Sequence, residues 1–127
     1  MSGVLADTSV WVAHFRRAIP DLQTLAAADQ LLCHPLVVLE LACGTPPAPR
    51  ERTLSSLRLL SQAIVATMDE SLAFIEIHAL NDTGCGAVDI SLLASVLMTP
   101  GACLWTLDKK LHALASRLGV AYNAVLH

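Results

Sequence analysis

The stretch LADTSVW, residues 5–11, decides how the rest of the chain is read. An apolar run, Val4-Leu5-Ala6, stops at Asp7 and two hydroxyls, Thr8 and Ser9, before apolar residues resume. A lone carboxylate at the edge of a core is costly and tends to neutralise unless something opposes its charge. Asp7 is therefore either stabilised by a partner or itself stabilises one. The flanking pattern reads as a strand over residues 4–6, Ser9 as an N-cap, and a helix over about 10–17 with Trp11, Val12 and Phe15 on its inner side.

The same alternation continues outward. Pro20 opens a helix with Leu22, Leu25 and Ala26 in one stripe. Residues 30–33 read as a strand, and His34-Pro35 start the helix PLVVLELAC, which Gly44 stops. TPPAPR, residues 45–50, is a loop, and RERTLSSLRLLSQ is an amphipathic helix. AIVA, residues 63–66, reads as a third strand, followed by a helix from Asp69-Glu70. NDTGCG, residues 81–86, is a glycine loop and 88–97 a helix. ACLWT, residues 102–106, is a fourth strand, 108–119 a last helix, and 120–125 a fifth, edge strand. Continuously apolar strands, each followed by a helix, imply a parallel sheet covered on both faces. The expected fold is α/β: a three-layer α/β/α sandwich around a mainly parallel sheet of four to five strands, one domain over residues 1–127.

Composition narrows the function. Cys33, Cys43, Cys85 and Cys103 form no CxxC pair and have no histidine at zinc spacing, so they read as reduced thiols in a cytoplasmic protein. No secretory leader precedes the first apolar run. Residues 90–107 carry no charge, but Pro100-Gly101 breaks the run, so a helix, turn and strand fit better than a membrane span. A hydrophobic fraction of 54% and a mean hydropathy of +0.57 leave apolar surface for a partner chain or a second copy to cover. The net charge of −3 argues against nucleic acid only until four acids are assigned to one metal site. Arg16-Arg17 and Lys109-Lys110 then remain to meet phosphates.

Ligands in such sheets bind beyond the carboxyl ends of the strands. Asp7 directly follows the first strand and Asp108 the fourth, so the two are expected to be neighbours. Glu40 and Asp89 lie in the helical stretches VVLELAC and GAVDISLLA among apolar residues. Each taken alone reads as a solvated stripe or, for Asp89, an N-terminal cap. Four carboxylates reaching one crevice would repel each other unless a cation sat among them, and hard oxygen ligands without His or Cys suit Mg²⁺ or Mn²⁺. Thr8 and Ser9 are expected to cap the helix while hydrogen-bonding the Asp7 carboxylate.

At these residues the chain resembles the PIN-domain family and, within it, the VapC toxins of bacterial VapBC toxin–antitoxin pairs. The resemblance is carried by LADTSVWVAHFR around Asp7, HPLVVLELACG around Glu40, GCGAVDISLLASVL around Asp89 and LWTLDKKLHALASRLGVAY around Asp108. It implies a Mg²⁺- or Mn²⁺-dependent endoribonuclease with Asp7, Asp89 and Asp108 as metal ligands, Glu40 completing the acidic quartet and Thr106 lining the crevice. It also implies an RNA substrate and a cognate antitoxin. Leu111 stands where the family commonly has an aromatic residue, and His112 where some relatives carry a further acid. In this chemistry the cation orients the phosphate and acidifies a water, and Glu40 or Asp108 accepts the water's proton.

Two rivals remain at this level. One is a phosphotransfer domain with Asp7 as phosphorylated nucleophile and Lys109 or Lys110 steadying the phosphate. The other is a silent PIN-like module that binds RNA or a partner without cutting.

Overall fold

The computed structural model describes residues 3–124. Strands and helices alternate in the order β1 (Gly3–Ala6), α1 (Thr8–Arg16), α2 (Pro20–Ala27), β2 (Leu31–Cys33), α3 (Pro35–Cys43), α4 (Arg50–Arg58), β3 (Ser61–Gln62), α5 (Met68–His78), α6 (Ala87–Met98), β4 (Ala102–Trp105) and α7 (Lys109–Arg117). All four residues of β1 are buried. Successive strand side chains point to opposite faces, so the sheet is covered on both sides. That is the α/β architecture expected from the apolar runs.

The sheet order is β3-β2-β1-β4, and every pairing is parallel. The chain moves from β1 through β2 to β3 on one side, then returns to pair β4 with the other edge of β1. Connections diverge at the carboxyl ends of β1 and β4, where open α/β sheets place their ligand crevice. Leu5 and Leu104, paired in register across these strands, are fully buried. Truncating either to alanine should cost about 2–5 kcal/mol.

Three local expectations are corrected. Asp7, not Ser9, is the N-cap of α1, and its Oδ1 accepts from the Val10 N–H at 3.2 Å, so the helix starts earlier. The third strand is Ser61–Gln62 rather than AIVA. Its partner β2 has only three residues, so the ladder ends there, with one further bond from the Ala63 N–H to the Cys33 carbonyl at 3.0 Å. Side chains of the α6 region satisfy the backbone beyond it: Thr99 Oγ1 accepts from Ile64 N–H at 2.9 Å and Ser95 Oγ from Ala66 N–H at 3.0 Å. The expected edge strand over 120–125 reduces to one bridge, Leu104 to Ala121, and Val125 lies outside the described residues.

Helix ends follow local chemistry. Pro20 and Pro35 occupy first-turn positions, where a missing N–H costs nothing. Thr67 and Glu70 form a reciprocal capping box on α5. The four cysteines are free thiols, and among the described residues no helix is long and apolar enough to cross a membrane.

Candidate active site

Asp7 is the most enclosed of the candidate acids, at 5% exposure. The Ser9 hydroxyl donates to its Oδ1 and the Thr106 hydroxyl to its Oδ2, both at 2.5 Å. Burial pushes the Asp7 carboxyl up in pKa, while the bonds from Ser9, Thr106 and Val10 oppose that shift. The same hydroxyls fasten the end of β4: Thr106 Oγ1 accepts from Asp108 N–H at 3.1 Å, and Ser9 Oγ accepts from Leu107 N–H at 3.0 Å. The Asp7 N–H donates to the Trp105 carbonyl at 2.9 Å. Asp7 and Asp108 thus belong to one hydrogen-bonded unit spanning the ends of adjacent strands.

Asp108 is the N-cap of α7, its Oδ1 accepting from Leu111 N–H at 2.9 Å. Glu40 projects from α3 as an exposed side chain, and its Oε1 accepts the Thr8 hydroxyl at 2.5 Å. Thr8 therefore serves Glu40, not Asp7 as the sequence suggested. Asp89 lies in the first turn of α6, whose N-cap is Gly86, not Asp89. Its carboxyl is pushed up by burial, opposed by a backbone bond from Gly86, and raised further by the charges of Asp108, Asp7 and Glu40. Four acids from four segments share one electrostatic field.

Among the described residues, no three His, Cys, Asp or Glu side chains already converge as a metal cage. The donor set nevertheless fits a hard divalent cation. It is all carboxylate, its members repel one another, and Asp7 Oδ2, which accepts the Thr106 hydroxyl, keeps a second lone pair.

Arg16 and Arg17 at the end of α1 and Lys109 and Lys110 at the start of α7 are exposed. A groove of about 550 Å³ runs from Thr8 and Glu40 past Val12 and Phe15 to Arg16 and Pro46. Lys110 lies over the glycine loop, where a Cβ on Gly84 would sit 2.8 Å from its Cδ and 2.9 Å from its Nζ. Gly84 has φ +83°, so glycine suits both the turn and the close approach. Asp82, in the same loop, is exposed in a left-handed conformation at φ +58°.

Sequence reasoning passed over three residues. Cys85 is half-buried, and its thiol is pushed up by burial and by Asp89 and Asp108; its position just before α6 was the available signal. Leu107 is exposed between two site residues, although it follows closely on the buried apolar run of β4. His34, read from the sequence only as the start of a helix, is fully buried and has side-chain partners. Its Nδ1 accepts from Leu36 N–H and its Nε2 meets Ser95 Oγ, both at 3.0 Å. Ser95 also donates to the Ser91 carbonyl at 2.7 Å, so this His–Ser pair is a buried structural joint.

The parallel sheet, the switch point between β1 and β4, and the acids around it describe a PIN domain. The PIN domain family model matches residues 4–116, and the chain belongs to that family. It is also 45% identical over 118 residues to Ribonuclease VapC32 of Mycobacterium tuberculosis, in both strain CDC 1551 / Oshkosh and strain H37Rv. The match covers 93% of this chain and 94% of that protein. The crystal structure of PAE2754 from Pyrobaculum aerophilum shares the fold, with a TM-score of 0.62 at 18% identity over 93% of this chain and 96% of that one.

Proposed function

We propose that the chain is a VapC-type endoribonuclease, dependent on Mg²⁺ or Mn²⁺ and acting as the toxin of a toxin–antitoxin pair. One observation carries the reading: Asp89, its carboxyl pushed up first by burial, also feels the charges of Asp108, Asp7 and Glu40, a field a divalent cation would relieve. The similarity to a protein named as a ribonuclease supports the reaction class. Asp7, Asp89 and Asp108 would hold the cation and Glu40 would complete the acidic quartet. A bound divalent ion supplies charge against the phosphate and acidity for a water.

The chain's own residues do the rest. Ser9 and Thr106 fix the Asp7 carboxylate, so its geometry needs no rearrangement at the moment of reaction. Glu40 receives the proton of the attacking water at Oε2, its Oε1 being held by Thr8, while Asp108 is one of the three acids that would hold the cation. Arg16, Arg17, Lys109 and Lys110 meet backbone phosphates on either side of the acids. A phosphotransfer reading with Asp7 as nucleophile leaves Glu40 and Asp89 without a role, although Asp89 feels the charges of all three other acids.

For partners, the groove beginning at Glu40 fits an antitoxin segment. A second copy would cover the apolar hollow of about 550 Å³ around Leu72 and Met68, 57% and 81% exposed. We assign residues 1–127 to one PIN domain acting in the cytoplasm. The test is incubation of the purified protein with total RNA in Mg²⁺, Mn²⁺ and EDTA beside Asp89→Asn, with the new ends mapped. Discrete ends that need both cation and Asp89 support the reading; intact RNA throughout sinks it.

A further inference from the structure

Leu107 is 55% exposed and lies between Thr106 and Asp108. A single exposed leucine on a loose tip needs no explanation. This one is not loose. Its N–H donates to Ser9 Oγ at 3.0 Å and the next N–H, of Asp108, donates to Thr106 Oγ1 at 3.1 Å. Both hydroxyls in turn donate to Asp7. Two consecutive peptide units are thereby tied to one buried carboxylate, so the backbone that carries this exposed apolar side chain is held in place between Thr106 and Asp108. The side chain has nothing to offer a cation and little to offer a phosphate.

Resting on the ribonuclease reading above, we propose that Leu107 is a specificity-determining residue that packs against the nucleobase next to the scissile phosphate. A phosphodiester brought to the acids carries a base on each side, and in single-stranded RNA the faces of those bases are open. A flat apolar face is what an aliphatic side chain can cover while the backbone is held by charge. Because the main chain at Leu107 is already held by its neighbours, covering the side chain costs only its own rotamer freedom and the ordering of the RNA. The contact responds to whether a base is present and how much face it offers, not to its hydrogen-bonding edge.

The test uses short single-stranded RNAs spanning a mapped cleavage site, each with one abasic ribonucleotide flanking the cleaved bond. Wild type, Leu107→Ala and Leu107→Met are compared in Mn²⁺, with EDTA controls. With wild type, one abasic substrate should lose about fivefold in kcat/KM, chiefly through KM. Leu107→Met should keep that penalty and Leu107→Ala should erase it, with the Mn²⁺ dependence alike in all three. An equal abasic penalty in wild type and Leu107→Ala overturns this assignment and leaves the nuclease reading standing. RNA left whole by the wild type in every cation removes both.

Discussion

Thr8 and Glu40, 32 positions apart in the chain, meet at 2.5 Å, the Thr8 hydroxyl donating to Glu40 Oε1. The first residue of α1 thereby sets the orientation of an exposed acid on α3. Without that bond Glu40 is a long side chain with several rotamers and no fixed place beside Asp7 and Asp89.

Thr8→Val should lower the cleavage rate about tenfold while leaving the thermal midpoint nearly unchanged, because the pair is exposed. Adding Thr8→Val to Glu40→Gln should cost little more, since the two act as one unit. Initial rates of the two single variants and the double variant decide this, and full additivity would show that Thr8 acts elsewhere.

Asp89→Asn should reduce cleavage at least about a hundredfold with an unchanged circular dichroism spectrum. Single-turnover assays on one RNA, at saturating Mn²⁺, are the check. A variant within a few fold of wild type would remove Asp89 from the chemistry.

Without cation, Asp7 costs the fold something. Its folded pKa lies above the unfolded one, so its charge opposes folding above the folded pKa, and the cost is relieved as pH falls through that value. Asp7→Asn should therefore melt a few degrees above wild type in EDTA at pH 7, about 2–4 °C, with the gap closing as pH drops toward 4. Melting curves across that range test it, and a gap that widens on acidification contradicts the burial argument.

His34 acts in the opposite direction. Burial lowers its pKa, and Nδ1 must stay unprotonated to accept from Leu36 N–H. Its contribution is whole above the unfolded value of about 6.5 and is lost as pH falls from there through the folded pKa. His34→Asn keeps a capping acceptor without that titration. Urea midpoints should fall between pH 7.5 and 5.5 more steeply for wild type than for His34→Asn.

Ser95→Ala should be costly for its size. It strands two buried donors, the Ala66 N–H and the His34 Nε2–H, for a loss of about 1–3 kcal/mol by urea unfolding. A loss under half of that would mean the two donors find other partners.

The runs before Asp7 and Asp108 were legible because a buried parallel strand must be continuously apolar and each ends abruptly in an acid. Their adjacency followed from the switch-point rule, which locates strand ends without contacts. AIVA misled because an apolar run reports burial and not pairing. Ala63 and Ala66 are buried while Ile64 and Val65 are 47% and 46% exposed, and the ladder is limited by the length of β2. Thr8 with Glu40 and His34 with Ser95 were invisible for a different reason. Partners 32 and 61 positions apart leave no local pattern in one sequence.

The place of β1 between β2 and β4 also sets a timetable for synthesis. During translation β1 and β2 can pair early, but one edge of β1 has no neighbour until residues 102–105 have been made. Asp108 comes three residues after Trp105, and the Thr106 hydroxyl that steadies Asp7 belongs to the same late segment. A ribosome stalled before this point carries a chain with Asp7, Glu40 and Asp89 but without Asp108 and the Thr106 hydroxyl that complete the cluster. The topology makes the acid cluster one of the last features a growing chain completes, so truncated products are born without it.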